Sequence, residues 1–308
     1  MRTAFPSHHG NCSHHGRLRP HRSSADPCVV EERTQVRHLG RSVREVPSVA
    51  TFKWDIRAGT IDSASVIGVD HIVHLAGAGI ADARWTKERV RELVDSRAAS
   101  VRLLQRAVRE HGQVPNSFVS AAGINYYGAT TSDRTCVESD AAGGDSIGMI
   151  SRKWEEAVDE WASMTRVVKL RTPIVLSAEG GALSKLAMPF RWGLGAALGS
   201  GKQWMPWVHI DDLVRAYESA LFNDRMTGAY NVNANGTVNN EEFTTILARS
   251  LGKKVFLPNV PGFVLKATLG EMADLLLAGS RASNEKILAT GFEFRFNDLA
   301  MALDDLLE

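Results

Sequence analysis

Lysine is missing from the first 52 residues of this 308-residue chain, and no acid precedes Asp26. Arginine, histidine, serine and proline crowd that stretch, with the pairs His8-His9 and His14-His15, then His21, set around Cys12 and Cys28. An Arg/Ser-rich, acid-poor start is also how an organelle transit peptide looks. Cysteine is scarce: Cys12, Cys28 and Cys136 are an odd number in a long chain, which excludes a disulfide framework and makes a reducing compartment the expectation. The histidines around Cys12 lack the spacing of a tetrahedral ligand set, so no metal is expected. No apolar run reaches the roughly 18 to 20 residues that span a bilayer. A net charge of +1 supplies no general attraction to nucleic acid or an anionic membrane. The expectation is a cytoplasmic protein, monomeric or homodimeric, with no nucleic-acid or membrane partner.

At 44% apolar the chain can bury one large core, or a core and a smaller lobe. From Gln35 onward the patterning is regular. "QVRHLGRS" (35–42) is a short β-like run ending in a Gly-Arg turn, and "DHIVHLAG" (70–77) is an apolar strand running into small residues. Between Lys87 and Gly112 the spacing of Val90, Leu93, Val94, Val101, Leu104 and Val108 predicts a helix that stops at the glycine. "NSFVSAAG" reads as the next strand, "SRKWEEAVDEWA" as a helix and "RVVKLRTPIVL" as another strand. Strands alternating with helices at this spacing predict βαβ units and a doubly wound parallel α/β sheet, which binds ligands at the carboxyl ends of its strands. After Leu176 the rhythm changes to a Gly- and Trp-containing segment and a mostly helical tail, the expected substrate lobe. The expected division is 35–178 with 208–234 for the sheet domain, and 179–207 with 235–308 for the lobe.

The segments "HLAGAGIADARWT" (74–86), "YYG" (126–128), "GGALSKLAMPFRWGLGAALGSGKQWMPWVHIDDLV" (180–214), "YNVNANGTVNNEEF" (230–243) and "ATGFEFRFNDLAMALDDLL" (289–307) together resemble the extended short-chain dehydrogenase/reductases. Within that superfamily the likeness is to the NAD-dependent epimerase-like branch, also labelled nucleoside-diphosphate-sugar epimerase-like, over roughly Gln35 to the C-terminus. The resemblance implies a Rossmann-like fold and NADP(H), with NAD as the other option. By position it implies that Gly40, Arg41 and Ser42 hold the adenosine 2′-phosphate, since an arginine there suits the phosphate where an acid would favour NAD. It places Asp55 at the adenine edge, Leu75, Ala76 and Gly77 along the ribose and phosphates, and Arg171 to Pro173 at the nicotinamide. Arg191, Trp204 and Trp207 fall on the substrate side, where the tryptophans line a pocket or pack the lobes together. His209, Asp211 and Asp212 read as a joint that starts a helix rather than as an acid/base cluster. Cys136 reads as an incidental loop thiol.

Two departures from the pattern bear on chemistry. The superfamily's proton-shuttling tyrosine and its lysine partner align with Gly148 and Arg152, while Ser151 and Glu156 match. Ala122 stands where the branch has a serine. Ser120, Tyr126 and Arg152 are then the candidate catalytic groups, with Tyr127 also near. A non-catalytic dinucleotide-binding or sensing protein is the competing expectation.

The second departure is the absence, before Gln35, of a first strand and the Gly-rich turn that receives a pyrophosphate. His14 to Ser24, written as degenerate codons and read one nucleotide later, permit Ile-Thr-Gly-Ala-Ser-Gly-Leu-Ile-Gly-Arg, the missing fingerprint. The expectation is that residues up to about Thr34 are an out-of-frame, disordered segment, so that the strands at 36–38 and 72–75 each lack a neighbour.

Overall fold

The computed structural model describes residues 3–7, 35–42, 47, 49–111 and 113–307. The first strands are β1 (Thr3–Ser7), β2 (Gln35–Gly40), β3 (Ala50–Asp55), β4 (Thr60–Ile61) and β5 (His71–His74). They are followed by α1 (Lys87–Glu110), β6 (Ser117–Gly123), β7 (Thr135–Cys136), α2 (Ser146–Asp159), β8 (Arg166–Thr172), β9 (Ile174–Leu176) and α3 (Ala182–Arg191). Next come β10 (Trp204–Met205), β11 (Trp207–His209), α4 (Ile210–Phe222), β12 (Gly228–Asn231), β13 (Val238–Asn239) and α5 (Asn240–Ser250). The tail holds α6 (Gly262–Leu269), α7 (Asp274–Leu277), β14 (Arg281–Ala282), α8 (Glu285–Leu288) and α9 (Leu299–Leu307).

One eight-stranded sheet runs β12-β8-β6-β5-β1-β2-β3-β4. β12, β8, β6 and β5 pair in parallel, as do β2 and β3. This is the Rossmann-like α/β sheet expected from the alternation of strands and helices, with two corrections. The sheet is mixed: β4 turns back antiparallel on β3, and β1 runs antiparallel to both its neighbours. β2 and β5 also do not lack a neighbour, because Thr3–Ser7 lies between them, with Thr3 opposite Leu39 and Ser7 opposite Gln35. Residues 8–34, which carry the histidine pairs and the shifted-frame motif, lie outside the described residues.

The helices form where the pattern demands. Thr86 caps α1 by accepting the Arg89 N–H at 3.3 Å, a contact of a kind worth about 1 kcal/mol. Val101, Leu104 and Val108 of α1 are buried together with Phe118, Trp154 and Trp161, while Leu93 packs with Trp85, Ile147 and Ile150. Trp161 stacks on Phe118 with ring centroids 4.2 Å apart. α2 begins five residues before the run that announced it, because the Asp145 carboxylate accepts the Gly148 N–H at 2.8 Å and starts the helix there.

The run "RVVKLRTPIVL" divides at Pro173, which has no N–H to give a ladder. β8 stays in the main sheet, while β9 pairs in parallel with β11. Beyond this break Leu176, Leu183, Phe190, Trp207, Phe243, Leu247, Leu299 and Leu303 build a separate core under the C-terminal helices. α5 is held by a full capping box between Asn239 and Glu242. Asp212, fully buried, accepts the N–H groups of Arg295 and Phe296 at 2.9 Å each, so "HIDD" is the joint expected of it.

Candidate functional site

Parallel strands place their carboxyl ends on one edge, and the residues that follow β2, β3, β5, β6 and β8 collect there. Gly40 closes β2, and Arg41 and Ser42 follow it, both exposed. Asp55 closes β3; its carboxylate accepts the N–H groups of Arg57 (2.9 Å) and Ala58 (3.0 Å). The Ala58 hydrogen bond leads in holding its pKa below the ordinary carboxylate range. Leu75, Ala76 and Gly77 leave β5, with Ala76 buried and the other two partly so. Ala122 and Gly123 close β6, and Thr172 and Pro173 follow at β8. Small residues at these ends leave bare backbone for a ligand to approach.

Beneath this edge lie buried polar groups that pair with one another. His74, fully buried, has Nε2 2.8 Å from the Ser100 hydroxyl and Nδ1 3.4 Å from that of Ser120. Burial, reinforced by the charge of Arg97, pushes its pKa down to about 3, so the ring is neutral. Ser120 is also fully buried and donates to the Ala121 carbonyl at 2.8 Å. It therefore supports β5 from within the sheet rather than facing a substrate.

Arg171 is 2% exposed. Its guanidinium donates to both Glu155 oxygens (2.8 and 3.1 Å) and to the Tyr127 hydroxyl (2.9 Å), and lies 3.6 Å over the Tyr126 ring. Burial opposes its charge, but Glu155 and Tyr127 outweigh burial and hold its pKa above the ordinary arginine value. The Tyr127 hydroxyl donates a hydrogen bond to Asn231 Oδ1 at 2.8 Å, and burial pushes its pKa up to about 12. Lys169 joins the same acid at 3.2 Å and Asp159 at 2.7 Å. The arginine expected at the nicotinamide thus spends its side chain on an internal ion-pair network, and the partly exposed Tyr126 is what that network offers to the strand ends.

The tyrosine position of the superfamily is closed. A Cβ on Gly148 would run into the carbonyl group of Gly143, and one on Gly143 into Gly128, whose φ of +83° suits only glycine. Asp145 ties this knot by accepting from both Gly148 and Ala129. One turn on, Arg152 is exposed on the outer side of α2 and ion-paired with Glu156 at 3.7 Å. Ser151 is the group that α2 turns inward, its hydroxyl 3.6 Å from where a Cβ on Gly123 would sit. Sequence reasoning passed over Ser151 as a mere match, although its burial follows from the helical spacing to Trp154 and Glu155.

On the substrate side the three expected residues separate. Arg191 is exposed at the end of α3. The Trp204 indole donates to the Ser132 carbonyl at 2.9 Å and lies 5.2 Å under Arg281. Trp207 is fully buried, donates to the Gly236 carbonyl at 2.7 Å and packs the lobe core, so it lines no pocket. Cys136 sits in β7 beside β14, its thiol pushed up by burial and by Asp140. Among the described residues no His/Cys/Asp/Glu group could hold a metal, and no helix is long and apolar enough to cross a membrane.

Parallel strands that end side by side in small residues and bare backbone define a dinucleotide-fold protein. Residues 26–233 match the NAD dependent epimerase/dehydratase family, and 260–306 match a domain of unknown function (DUF1731). The chain belongs to the NAD dependent epimerase/dehydratase family. It is 35% identical over 267 residues to an epimerase family protein of Mycobacterium leprae, covering 85% of each chain. The crystal structure of human epimerase family protein SDR39U1 (isoform 2) with NADPH superposes with a TM-score of 0.76 at 31% identity, over 87% of this chain and 89% of that one. A nucleoside-diphosphate sugar epimerase from Corynebacterium glutamicum gives 0.69 at 27% identity, over 87% and 51%.

Proposed function

We propose that this chain binds NADP(H) across the strand ends and serves hydride transfer on a small-molecule substrate, as an oxidoreductase or epimerase-like enzyme of the cytoplasm. The observation that carries the reading is Arg41, exposed directly after β2, where none of the described residues Gly40, Arg41 and Ser42 is an acid. A guanidinium there binds a 2′-phosphate, whereas NAD selection calls for a carboxylate. The NADPH found with the similar human protein supports the same choice.

In this reading Gly40, Arg41 and Ser42 hold the adenosine end, Asp55 stands at the adenine, and Leu75, Ala76 and Gly77 pass the ribose and phosphates. Pro173 borders the nicotinamide, which supplies or accepts the hydride when bound. Tyr126 and Ser151 offer hydroxyls beside the end of β6, and Arg191 borders the substrate lobe formed by 179–207 and 235–308. A nucleotide sugar is the substrate class suggested by the family branch.

The closed position at Gly148 favours a second reading, a dinucleotide-binding or sensing protein without turnover, because the group that moves the proton in this superfamily has no room to exist. NADPH titration followed by incubation with nucleotide sugars and carbonyl compounds separates the two. Oxidation of NADPH supports the enzyme; binding with no turnover on any of them supports the sensor; no binding overturns both.

A further inference from the structure

Arg97 of α1 is 4% exposed, and among the described residues no carboxylate pairs with it. The other deeply buried cations, Lys169 and Arg171, are both neutralised by Glu155. Arg97 donates only to carbonyls, Nη1 to Leu93 at 2.9 Å and Nη2 to Ala78 at 3.0 Å, and its guanidinium lies 5.0 Å over the Trp154 ring. An uncompensated buried charge costs several kcal/mol, which carbonyl dipoles and a ring face offset only in part.

Its surroundings add a second arginine, Arg89, which pairs with Glu92 at 2.6 Å, and unused donors. Arg89 donates to the Gly79 carbonyl at 2.6 Å, while its Nε–H is buried without an acceptor, as is the Trp154 indole N–H. Burial and repulsion from Arg89 push the Arg97 pKa down to about 10, which leaves it charged at neutral pH. The side chain runs directly beneath Gly77, where a Cβ would stand 3.0 to 3.2 Å from its Cγ, Cζ and Nε. The segment 77–79 is therefore held from below by two arginines, at the strand end over which a dinucleotide passes.

We propose that Arg97 is a positioning residue and counter-charge for the diphosphate of the dinucleotide, acting through the Gly77–Gly79 segment whose carbonyls it and Arg89 hold. The inference rests on the NADP(H) reading. The missing acid partner of Arg97 is then the ligand itself, and the glycine at 77 lets the cation come up under the backbone.

The test is calorimetric titration of the full chain and of R97Q and R97K with three probes: NADPH, ADP-ribose, and adenosine 2′,5′-bisphosphate, which lacks the diphosphate. R97Q keeps a donor for the Ala78 carbonyl without the charge, R97K keeps the charge, and R97M repeats the neutral case should R97Q fail to fold. The expected result is a loss of about tenfold for NADPH and ADP-ribose in R97Q, the size of one charge acting at moderate distance and intermediate dielectric. Adenosine 2′,5′-bisphosphate should stay within about twofold and R97K should recover most of the affinity. Equal loss for all three probes, no loss for any, or R97K as weak as R97Q each overturns the counter-charge. An unaltered chain that binds none of the probes overturns the NADP(H) reading instead.

Discussion

Gly148 and Gly143 meet backbone against backbone, so the one helix position at which this superfamily carries its proton-shuttling phenol has no volume for a side chain. Two consequences can be measured. Gly148→Ala should lower stability in urea by about 1 to 3 kcal/mol, the usual cost of overpacking, despite the better helix propensity of alanine. Gly148→Tyr should create no activity, because the segment around Gly143 must be displaced before a ring can enter; NADPH turnover in that variant would show that the knot yields.

Glu155 is the shared acid of two buried cations, Lys169 and Arg171. Glu155→Ala leaves Arg171 uncompensated and should cost about 3 to 5 kcal/mol in chemical denaturation. Glu155→Gln, which still accepts one hydrogen bond, should cost less. A loss under 1 kcal/mol for the alanine variant would mean that Tyr127 and the Tyr126 ring carry the guanidinium alone.

Acid should weaken the fold through His74. Its pKa falls from the ordinary 6.5 to about 3 on folding, so between these values the unfolded chain binds a proton that the native chain refuses. Stability then rises with pH up to about 6.5 and is flat above it, with a slope approaching 1.4 kcal/mol per pH unit below. Urea unfolding at pH 6.5 and pH 5 should differ by about 2 kcal/mol from this group, and His74→Gln should remove that share. An identical pH dependence in the variant would place the sensitivity elsewhere.

The shifted-frame reading of His14 to Ser24 makes a direct prediction. A chain in which that stretch is replaced by Ile-Thr-Gly-Ala-Ser-Gly-Leu-Ile-Gly-Arg should be stabilised by NADPH in thermal-shift titration far more than the present sequence, because a phosphate gains backbone N–H donors and a helix N-terminus. Equal stabilisation of the two chains would remove the reason for reading a second frame.

Much of the fold was legible because burial here follows period. The α1 run, the parallel strands β5, β6 and β8, and the change of rhythm after Leu176 all stand where apolar spacing put them. What sequence could not show was partnership across distance. Arg171 read as a ligand contact because nothing local reveals that Glu155 closes on it from the neighbouring helix. Nothing in the sequence singles out Arg97 in α1, since an arginine in a helix normally points to water. Trp207 could not be divided between pocket and packing until its complete burial was known. The break at Pro173 was signalled by the proline but hidden by the apolar residues on both sides.

β1 enters the sheet in the reverse sense, with Ser7 beside Gln35. Ser7 thus ends one strand and Gln35 begins its antiparallel neighbour at the same side of the sheet, where a Rossmann sheet has a crossover whose handedness orders its layers. A hairpin connection has no handedness and no minimum length beyond a turn, and shortening it changes loop-closure entropy only slowly. In this topology the pairing of β1 with β2 asks only that Ser7 and Gln35 be joined through a turn, something a βαβ crossover would never permit.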